Sequence, residues 1–392
     1  MTSQGGPAPL AAGTPPLHGR EIVRYDQARW ALAARCLSKD PRLAWEALGY
    51  RLPPNADAGR GGWIRNLANT DPPGHTRLRR LLATALTPAR MASTAPRIAG
   101  AATVLAERLP RAGCVDLVAS FLVPLQVVVT SELLGIPPSH RRRFGSSATA
   151  MLIPADGTAI PRPCREAYGR MDILIGEVLA ARREQMRQVG SPDVAPDLLS
   201  ALIDVHAGPD SLTAQEAQSM AMLLISAGQE PTIDLMANGI LALLRHPDQL
   251  ALFRQEPKLR PRAVEELLRH EAPVRSAVRI AAEDVEIDGT VATRGSVIEV
   301  KLDRVHRDPS RFARPDTLDI TREHNPHLTF GHGIHYCIGA PLARLQARVT
   351  LTELVCRFPH IALAERPERL RWRALRDRRS LVGLPVTLGP SR

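Results

Sequence analysis

A helix of about thirty residues that begins at Thr213 constrains the fold more than any other feature, because it would span roughly 45 Å. Thr213 and Glu216 have the spacing of a capping box. The pattern stops before His246-Pro247, which predicts a helix that ends near Leu244. Residues 220–227 are apolar on every side, so the helix is predicted to run through the centre of a domain rather than along its surface.

The segments on either side of this helix indicate the fold class. From residue 26 to residue 268, apolar residues recur three and four positions apart, which predicts further helices. Short alternating runs at 278–287, 297–302 and 381–388 predict small sheets. The chain is therefore predicted to be mainly α with small β-sheets.

The N-terminal residues predict a tail rather than a targeting segment. Residues 1–16 are rich in Pro, Gly and Ala and have neither a basic leader nor a continuous apolar stretch. We predict a flexible tail over residues 1–19 and one domain over residues 20–392. The most apolar later stretch, 117–136, contains Gln126 and Glu132, which predicts a buried helix rather than a membrane span. We therefore expect a cytoplasmic protein with no membrane partner.

Cysteine spacing and charge exclude several functions. The five cysteines are scattered and form no Cys-x-x-Cys pair, which argues against disulfides and zinc sites. Cys337 is treated below, and four are predicted to be small buried side chains: Cys36, Cys114, Cys164 and Cys356. The net charge is +11, but no nucleic-acid-binding motif accompanies it. An acidic protein partner explains this charge equally well, and we expect no nucleic-acid partner.

The segment 330–339, Phe-Gly-His-Gly-Ile-His-Tyr-Cys-Ile-Gly, places Cys337 just before a predicted helix. Two glycines allow a tight loop before the cysteine. Gly339 and the helix start bring backbone amides and the positive end of the helix dipole close to the sulfur, which stabilises a thiolate. A thiolate held in this way can bind iron without competition from a proton.

This segment resembles the haem-binding loop of the cytochrome P-450 family, Phe-Gly-x-Gly-x-His/Arg-x-Cys-x-Gly. The matching residues are Phe330, Gly331, Gly333, His335, Cys337 and Gly339. The resemblance covers the chain from about Arg20 to Leu388. It implies a soluble bacterial enzyme with a single triangular-prism domain, in which haem b lies between the long distal helix and the helix after the cysteine loop.

The resemblance also implies the cofactor chemistry and the partners. Cys337 would be the iron ligand, and haem would activate O2 for oxidation of a small-molecule substrate. Electrons would come from NAD(P)H through a ferredoxin and ferredoxin reductase, or through a flavoprotein. Four basic residues are predicted to dock an acidic ferredoxin: Arg77, Arg80, Arg344 and Arg348.

Companion motifs occur in the order expected for this family. His75 and Arg79 match a helix whose His and Arg reach a haem propionate, and Arg279 and His335 match further propionate contacts. Glu266 and Arg269 match the structural Glu-x-x-Arg pair, whose spacing puts both side chains on one helical face. The implied cofactor-binding set is His75, Arg79, Arg279, Phe330, His335, Cys337 and Gly339.

The distal-helix motif departs from the family pattern. Glu230 supplies the usual acid, but Pro231 stands where the family has the Thr that organises proton delivery. Thr232 lies one position further, about 100° around the helix. Because Pro231 has no amide, the helix is expected to kink here. Glu230 and Thr232 are the candidate catalytic residues.

A second departure concerns residues 315–319, which lack the Arg that completes the family network with Glu266 and Arg269. Arg322 and His306 are two candidates to replace it.

These features predict a monooxygenase that oxidises a small organic substrate, in secondary metabolism. Pro231 keeps oxidative aromatic coupling or peptide cross-linking without oxygen insertion open as an alternative. A non-catalytic haem carrier or sensor is a third possibility, and Glu230 argues against it, because a carrier needs no acid on the distal helix. Family position predicts a substrate pocket, rich in aliphatic contacts, at Trp63, Ile64, Leu223, Leu224, Ala227, Ala277, Val278 and Val382.

Overall fold

The structure is a computed structural model that describes residues 19–47, 49, 66–110, 112–152, 162–189, 197–204 and 212–389. The predicted tail lies outside this part of the chain except for residue 19. Within the described ranges the chain forms fourteen α-helices. They are α1 (Tyr25–Ala33), α2 (Arg42–Ala47), α3 (Gly74–Ala85), α4 (Pro88–Ser93), α5 (Ala95–Glu107), α6 (Val123–Leu134), α7 (Arg141–Met151), α8 (Arg162–Val189), α9 (Leu198–Asp204), α10 (Ala214–Arg245), α11 (Pro247–Gln255), α12 (Arg260–His270), α13 (Leu302–Val305) and α14 (Ala340–Arg357).

Nine short strands in the described residues complete the fold and form three small sheets. The strands are β1 (Arg20–Ile22), β2 (Leu37–Ser38), β3 (Val115–Asp116), β4 (Ser276–Ala281), β5 (Val285–Ile287), β6 (Thr290–Ala292), β7 (Val297–Lys301), β8 (Ala362–Leu363) and β9 (Pro385–Thr387). The sheet orders are β1-β7-β4-β2, β3-β9-β8 and β5-β6. β1 runs parallel to β7, and the other pairs are antiparallel. The predicted fold class, mainly α with small sheets, is confirmed.

The long helix α10 begins with the predicted capping box. The Thr213 hydroxyl accepts from the amide of Glu216 at 3.1 Å, and the Glu216 carboxylate accepts from the amide of Thr213 at 2.8 Å. The helix continues through Pro231 and ends at Arg245, one residue later than predicted. Every residue from Thr232 to Leu243 is buried. This half of α10 is therefore surrounded by protein, as its apolar sequence requires.

Helix α10 contacts two apolar cores. Its C-terminal half packs with α5, α6, α12 and α14, and its N-terminal half packs with α3, α7, α8 and α9. Helix α14, which begins three residues after Cys337, contacts both α10 and α12. This arrangement places the cysteine loop on the other side of a gap from the middle of α10.

Two predictions about buried segments have different outcomes. The apolar stretch 117–136 forms a buried helical segment that ends in α6, as predicted. Within the described ranges, no helix is both long enough and apolar enough to cross a membrane.

Of the four cysteines predicted to be buried, Cys164 is buried, but Cys114 is exposed, which corrects that prediction. Cys114 lies between α5 and β3, where its side chain is exposed to solvent.

Candidate active site and cofactor cavity

A cavity of about 330 Å³ separates α10 from the cysteine loop, and its lining is mostly apolar. This volume lies at the lower end of the range of roughly 300–1,000 Å³ found for small-molecule sites. The side chains around it come from α3, α6, α10, α14, β4 and the loop before α14. All seven residues predicted to bind the cofactor line it: His75, Arg79, Arg279, Phe330, His335, Cys337 and Gly339.

The loop before α14 holds Cys337 at the cavity wall. The amide of Cys337 donates to the carbonyl of Phe330 at 2.9 Å, which closes the loop. Gly333 has a φ of 74°, and a Cβ there would lie 2.9 Å from the Cα of Ala33, so this position requires glycine on both counts. The loop conformation therefore depends on its glycines, as the sequence predicts.

Burial and nearby positive groups have opposite effects on the pKa of Cys337. Burial raises the pKa of the Cys337 thiol, and the amides of Gly339 and Ala340 and the charge of Arg79 oppose that rise only in part. The helix start and Arg79 therefore act in the direction that favours the thiolate, as the sequence predicts.

A cluster of basic side chains lines the cavity near the cysteine loop. The rings of His75 and His335 lie 4.4 Å apart, and His335 Nε2 is 3.7 Å from a carboxylate oxygen of Asp71. Burial, together with His335 and Arg79, lowers the pKa of His75 to about 4. Burial also lowers the pKa of Arg279 to about 10. At neutral pH Arg79 and Arg279 therefore carry positive charge in this cluster, whereas His75 is neutral.

Lys39 belongs to the same cluster and was not predicted from the sequence. Its side chain lines the cavity, and its amide donates to Asp71 at 3.2 Å. Burial lowers the pKa of Lys39 to about 8, the charge of Arg279 adds to this, and Asp71 opposes it. The ring atom His75 Nε2 is buried and has no hydrogen-bond partner among the described residues.

These observations test whether haem fits the cavity. Haem needs a flat apolar space, a sulfur ligand on one side and donors for two propionates at an edge. The cavity offers apolar walls, Cys337 at its border and a cluster of basic groups, one of which has an orphaned ring nitrogen. The residues present therefore fit haem.

The two candidate catalytic residues on α10 have different surroundings. Thr232 lines the cavity, and its hydroxyl donates to the carbonyl of Gly228 at 2.7 Å. Glu230 is not among the cavity-lining residues; its carboxylate forms an ion pair with Arg378. The structure therefore brings the hydroxyl, but not the carboxylate, to the cavity wall.

The Glu266–Arg269 pair is completely buried, at 0% and 1% exposure. Arg269 donates two hydrogen bonds of 2.8 Å to the Glu266 carboxylate and further bonds to backbone carbonyls, including that of His306 at 3.0 Å. Arg322 Nε donates to Glu266 at 3.1 Å. Of the two candidates, Arg322 thus replaces the missing guanidinium, whereas His306 contributes only its carbonyl.

The predicted substrate pocket is partly supported by position. Leu223, Leu224, Ala227 and Ala277 line the cavity, whereas Trp63 and Ile64 lie outside the described residues. Val278 does not line the cavity, which corrects its assignment: side chains alternate along β4, and Val278 packs on the opposite face with Ala44 and Val297. Val382 is also absent from the described lining, and its amide donates to the carbonyl of Arg371 at 2.9 Å.

Gln126, Thr130 and Gln346 are connected polar residues of the cavity wall that the sequence did not assign to the site. Gln126 Nε2 donates to Thr130 Oγ1 and to the carbonyl of Gly228, each at 3.1 Å, and Gln346 Nε2 donates to Gln126 Oε1. The interruption of an apolar stretch by Gln126 was a signal in the sequence. Its partners could not be known, because they lie on other helices.

The fold and the cavity are those expected of a haem-thiolate protein whose cysteine precedes a core helix. A sequence model of the family described as Cytochrome P450 matches residues 144–373. The chain is 40% identical over 369 residues to cytochrome P450 monooxygenase PikC from Streptomyces venezuelae, over 93% of this chain and 84% of PikC. It is 36% identical over 371 residues to 6-deoxyerythronolide B hydroxylase from Saccharopolyspora erythraea, over 94% of this chain and 89% of that enzyme.

A solved structure is similar over the same extent. The cytochrome P450 enzyme CxnD, described as acting in C–S bond formation in chuangxinmycin biosynthesis, matches with a TM-score of 0.80 and 33% identity. The match covers 95% of this chain and 88% of CxnD. The chain belongs to the cytochrome P450 family. It is an oxidoreductase of the monooxygenase type, and its family implies a haem-thiolate cofactor.

Proposed function

We propose that this protein uses haem b to insert oxygen into a small organic substrate of secondary metabolism. Cys337 at the border of a mostly apolar cavity carries the proposal. Two relatives support the substrate class by their names: 6-deoxyerythronolide B hydroxylase and the polyketide biosynthesis cytochrome P450 PksS. We further propose a cytoplasmic protein whose catalytic domain comprises residues 20–392.

The cavity residues have distinct roles in this proposal. Cys337 would ligate the iron, Arg79 and Arg279 would neutralise the propionates, and His75 and His335 would donate hydrogen bonds to them. When bound, haem supplies reductive activation of O2. Phe330 and Gly339 shape the loop around the sulfur, and the buried Glu266–Arg269 pair fixes the segment before it.

Thr232 and Glu230 share the handling of protons. The Thr232 hydroxyl lines the cavity and is positioned to accept a hydrogen bond from a donor there, because its own proton is directed to Gly228. Glu230, held by Arg378, lies two residues before Thr232 on α10 and is the proposed acid. The ion pair must open or exchange with water before Glu230 can pass a proton towards the cavity.

The electron donor is proposed to be a ferredoxin with its NAD(P)H-dependent reductase, or a flavoprotein. Of the arginines predicted to dock it, Arg348 on α14 is exposed, and so is Arg80 on α3, which also has an interaction within the protein. Arg344 is bound to Glu265 at 2.7 Å, and Arg77 is paired with Glu216. Their charges are therefore partly used within the protein, and Arg348 is the stronger candidate for contact with an acidic partner.

Oxidative coupling without oxygen insertion is a second proposal. Pro231 removes both the usual hydroxyl and an amide from the distal motif, and the related enzyme CxnD is named for C–S bond formation. Product mass separates the two reactions, because insertion adds one oxygen atom and coupling removes two hydrogens. A product that only gains oxygen rules out coupling.

The test of the proposed function compares Cys337→Ser with Cys114→Ser, a control at an exposed cysteine. The wild type and the control should show the red-shifted Soret band of a thiolate-ligated haem when reduced under carbon monoxide. Cys337→Ser should lose that band and the NADH-dependent oxidation supported by added redox partners. Full activity in Cys337→Ser, or no haem absorption in the wild type, would overturn the proposal.

The substrate class can be narrowed with the same protein. Displacement of water from ferric haem shifts the absorption spectrum, so ligands can be found without knowledge of the product. Macrolides, small cyclic peptides, terpenes and aromatic polyketides form the test set. If none of these compounds shifts the spectrum, the proposed substrate class is wrong.

A further inference from the structure

Two buried glutamines connect three helices at the cavity wall. Gln126 on α6 is 4% exposed and Gln346 on α14 is 1% exposed, and both line the cavity. Gln346 Nε2 donates to Gln126 Oε1, and Gln126 Nε2 donates to the carbonyl of Gly228 on α10. Both carboxamides are thus used in a chain of hydrogen bonds that runs from the cysteine helix to the distal helix.

The chain ends at the one candidate catalytic hydroxyl that lines the cavity. The carbonyl of Gly228 accepts from Gln126 at 3.1 Å and from the Thr232 hydroxyl at 2.7 Å. A hydroxyl has one proton, so Thr232 can only accept hydrogen bonds from the cavity while this bond exists. The direction of the Thr232 hydroxyl therefore depends on the position of the Gly228 carbonyl.

Pro231 makes this support necessary. Pro231 has no backbone N–H that could donate to the carbonyl of Ala227. The turn of α10 from Ala227 to Pro231 therefore lacks one helical hydrogen bond. Side chains from neighbouring helices can restrain a backbone that has lost such a bond. Gln126 contacts α10 at the next carbonyl along the chain, that of Gly228.

We propose that Gln126 and Gln346 are positioning residues that hold the Gly228 carbonyl and, through it, the Thr232 hydroxyl in place at the cavity wall. The inference rests on the proposed function. Both side chains are neutral amides, so the bridge maintains geometry and supplies no acid. Proton supply remains with Glu230 and cavity water.

Vibrational spectroscopy can detect a change in the position of the Thr232 hydroxyl without enzyme turnover. In the ferrous carbon monoxide complex, the C–O stretching frequency responds to hydrogen-bond donors and dipoles close to the ligand. Gln126→Leu and Gln346→Leu should shift this frequency in the same direction as Thr232→Val. They should also lower the product formed per NADH roughly two- to tenfold, the effect expected from one hydrogen bond.

The matched control is Gln229→Leu. Gln229 is 2% exposed, lies on the same helix and donates to the carbonyl of Ala148 at 3.0 Å, but it is not among the cavity-lining residues. Its replacement removes a buried amide in the same way, so it should lower stability while leaving the C–O stretching frequency unchanged. Equal shifts in the control and in Gln126→Leu would overturn the inference.

Gln346→Glu provides a second variant that retains the shape of the side chain. A protonated carboxyl group can donate to Gln126 Oε1, whereas a carboxylate cannot. The product formed per NADH in this variant should therefore approach the wild-type value at low pH and fall as the pH rises. If the wild-type protein lacks the red-shifted Soret band, the proposed function is wrong. If the wild type shows that band but the C–O stretching frequency is unchanged in every glutamine variant, only the positioning role is wrong.

Discussion

Asp234 on α10 should make the stability of the protein depend on pH near neutrality. Its side chain is 2% exposed, and Asp234 Oδ2 has no hydrogen-bond partner among the described residues. Burial raises the pKa of Asp234 to about 7, although a hydrogen bond from Ser380 and the charge of Arg373 oppose the rise. The folded protein therefore holds a proton that the unfolded chain releases near its ordinary pKa of 3.8.

The sign and size of the effect follow from proton linkage. Because the folded state binds more protons between pH 4 and pH 7, stability is greatest below the unfolded pKa and is lost as the pH rises through the folded pKa. The gap between the two pKa values of Asp234 corresponds to about 4 kcal/mol over the whole window. About 3 kcal/mol of this should fall between pH 5 and pH 8.

Asp234→Asn removes the titration and keeps the shape of the protonated side chain. Relative to the wild type, the variant should gain about 3 kcal/mol of stability between pH 5 and pH 8. Thermal unfolding followed by circular dichroism at several pH values measures this. Asp316→Asn, at a side chain that is 87% exposed, is the control and should follow the wild type. Parallel pH profiles for the wild type and Asp234→Asn would show that the reasoning about this buried carboxyl group is wrong.

Two further predictions concern the arginine network and the basic cluster. Arg322→Ala should cost roughly 1.5–3 kcal/mol of folding stability, because it removes a charged hydrogen-bond donor from the buried Glu266 carboxylate. The control is Arg314→Ala, at a side chain that is 75% exposed, which should cost about 1 kcal/mol or less. Equal effects in thermal unfolding would contradict the assigned role of Arg322. Lys39→Met should speed haem transfer to apomyoglobin roughly two- to tenfold if the ammonium binds a propionate. The exposed Lys258→Met variant should not change that rate, and an unchanged rate in Lys39→Met as well would remove Lys39 from the haem site.

Motifs that depend on neighbouring residues could be predicted well. The capping box at Thr213 and the glycine-dependent loop before Cys337 both appear as expected, because their hydrogen bonds and backbone angles involve residues close in the chain. The assignment of Val278 to the pocket was wrong. Successive side chains of β4 point to opposite faces, and which face meets the cavity depends on the elements that pack against the sheet.

The sequence by itself determined the fold class, the long central helix, the cysteine loop and the order of the basic residues that surround it. These features arise from local periodicity, capping and glycine conformation, which act over a few residues. Tertiary structure alone decided which distant groups meet: Arg322 with Glu266, Arg378 with Glu230, Lys39 with the histidine cluster, and Gln346 with Gln126. The physical reason is that a hydrogen bond or ion pair requires atoms within about 3–4 Å, and such contacts between remote segments are set by how the helices pack.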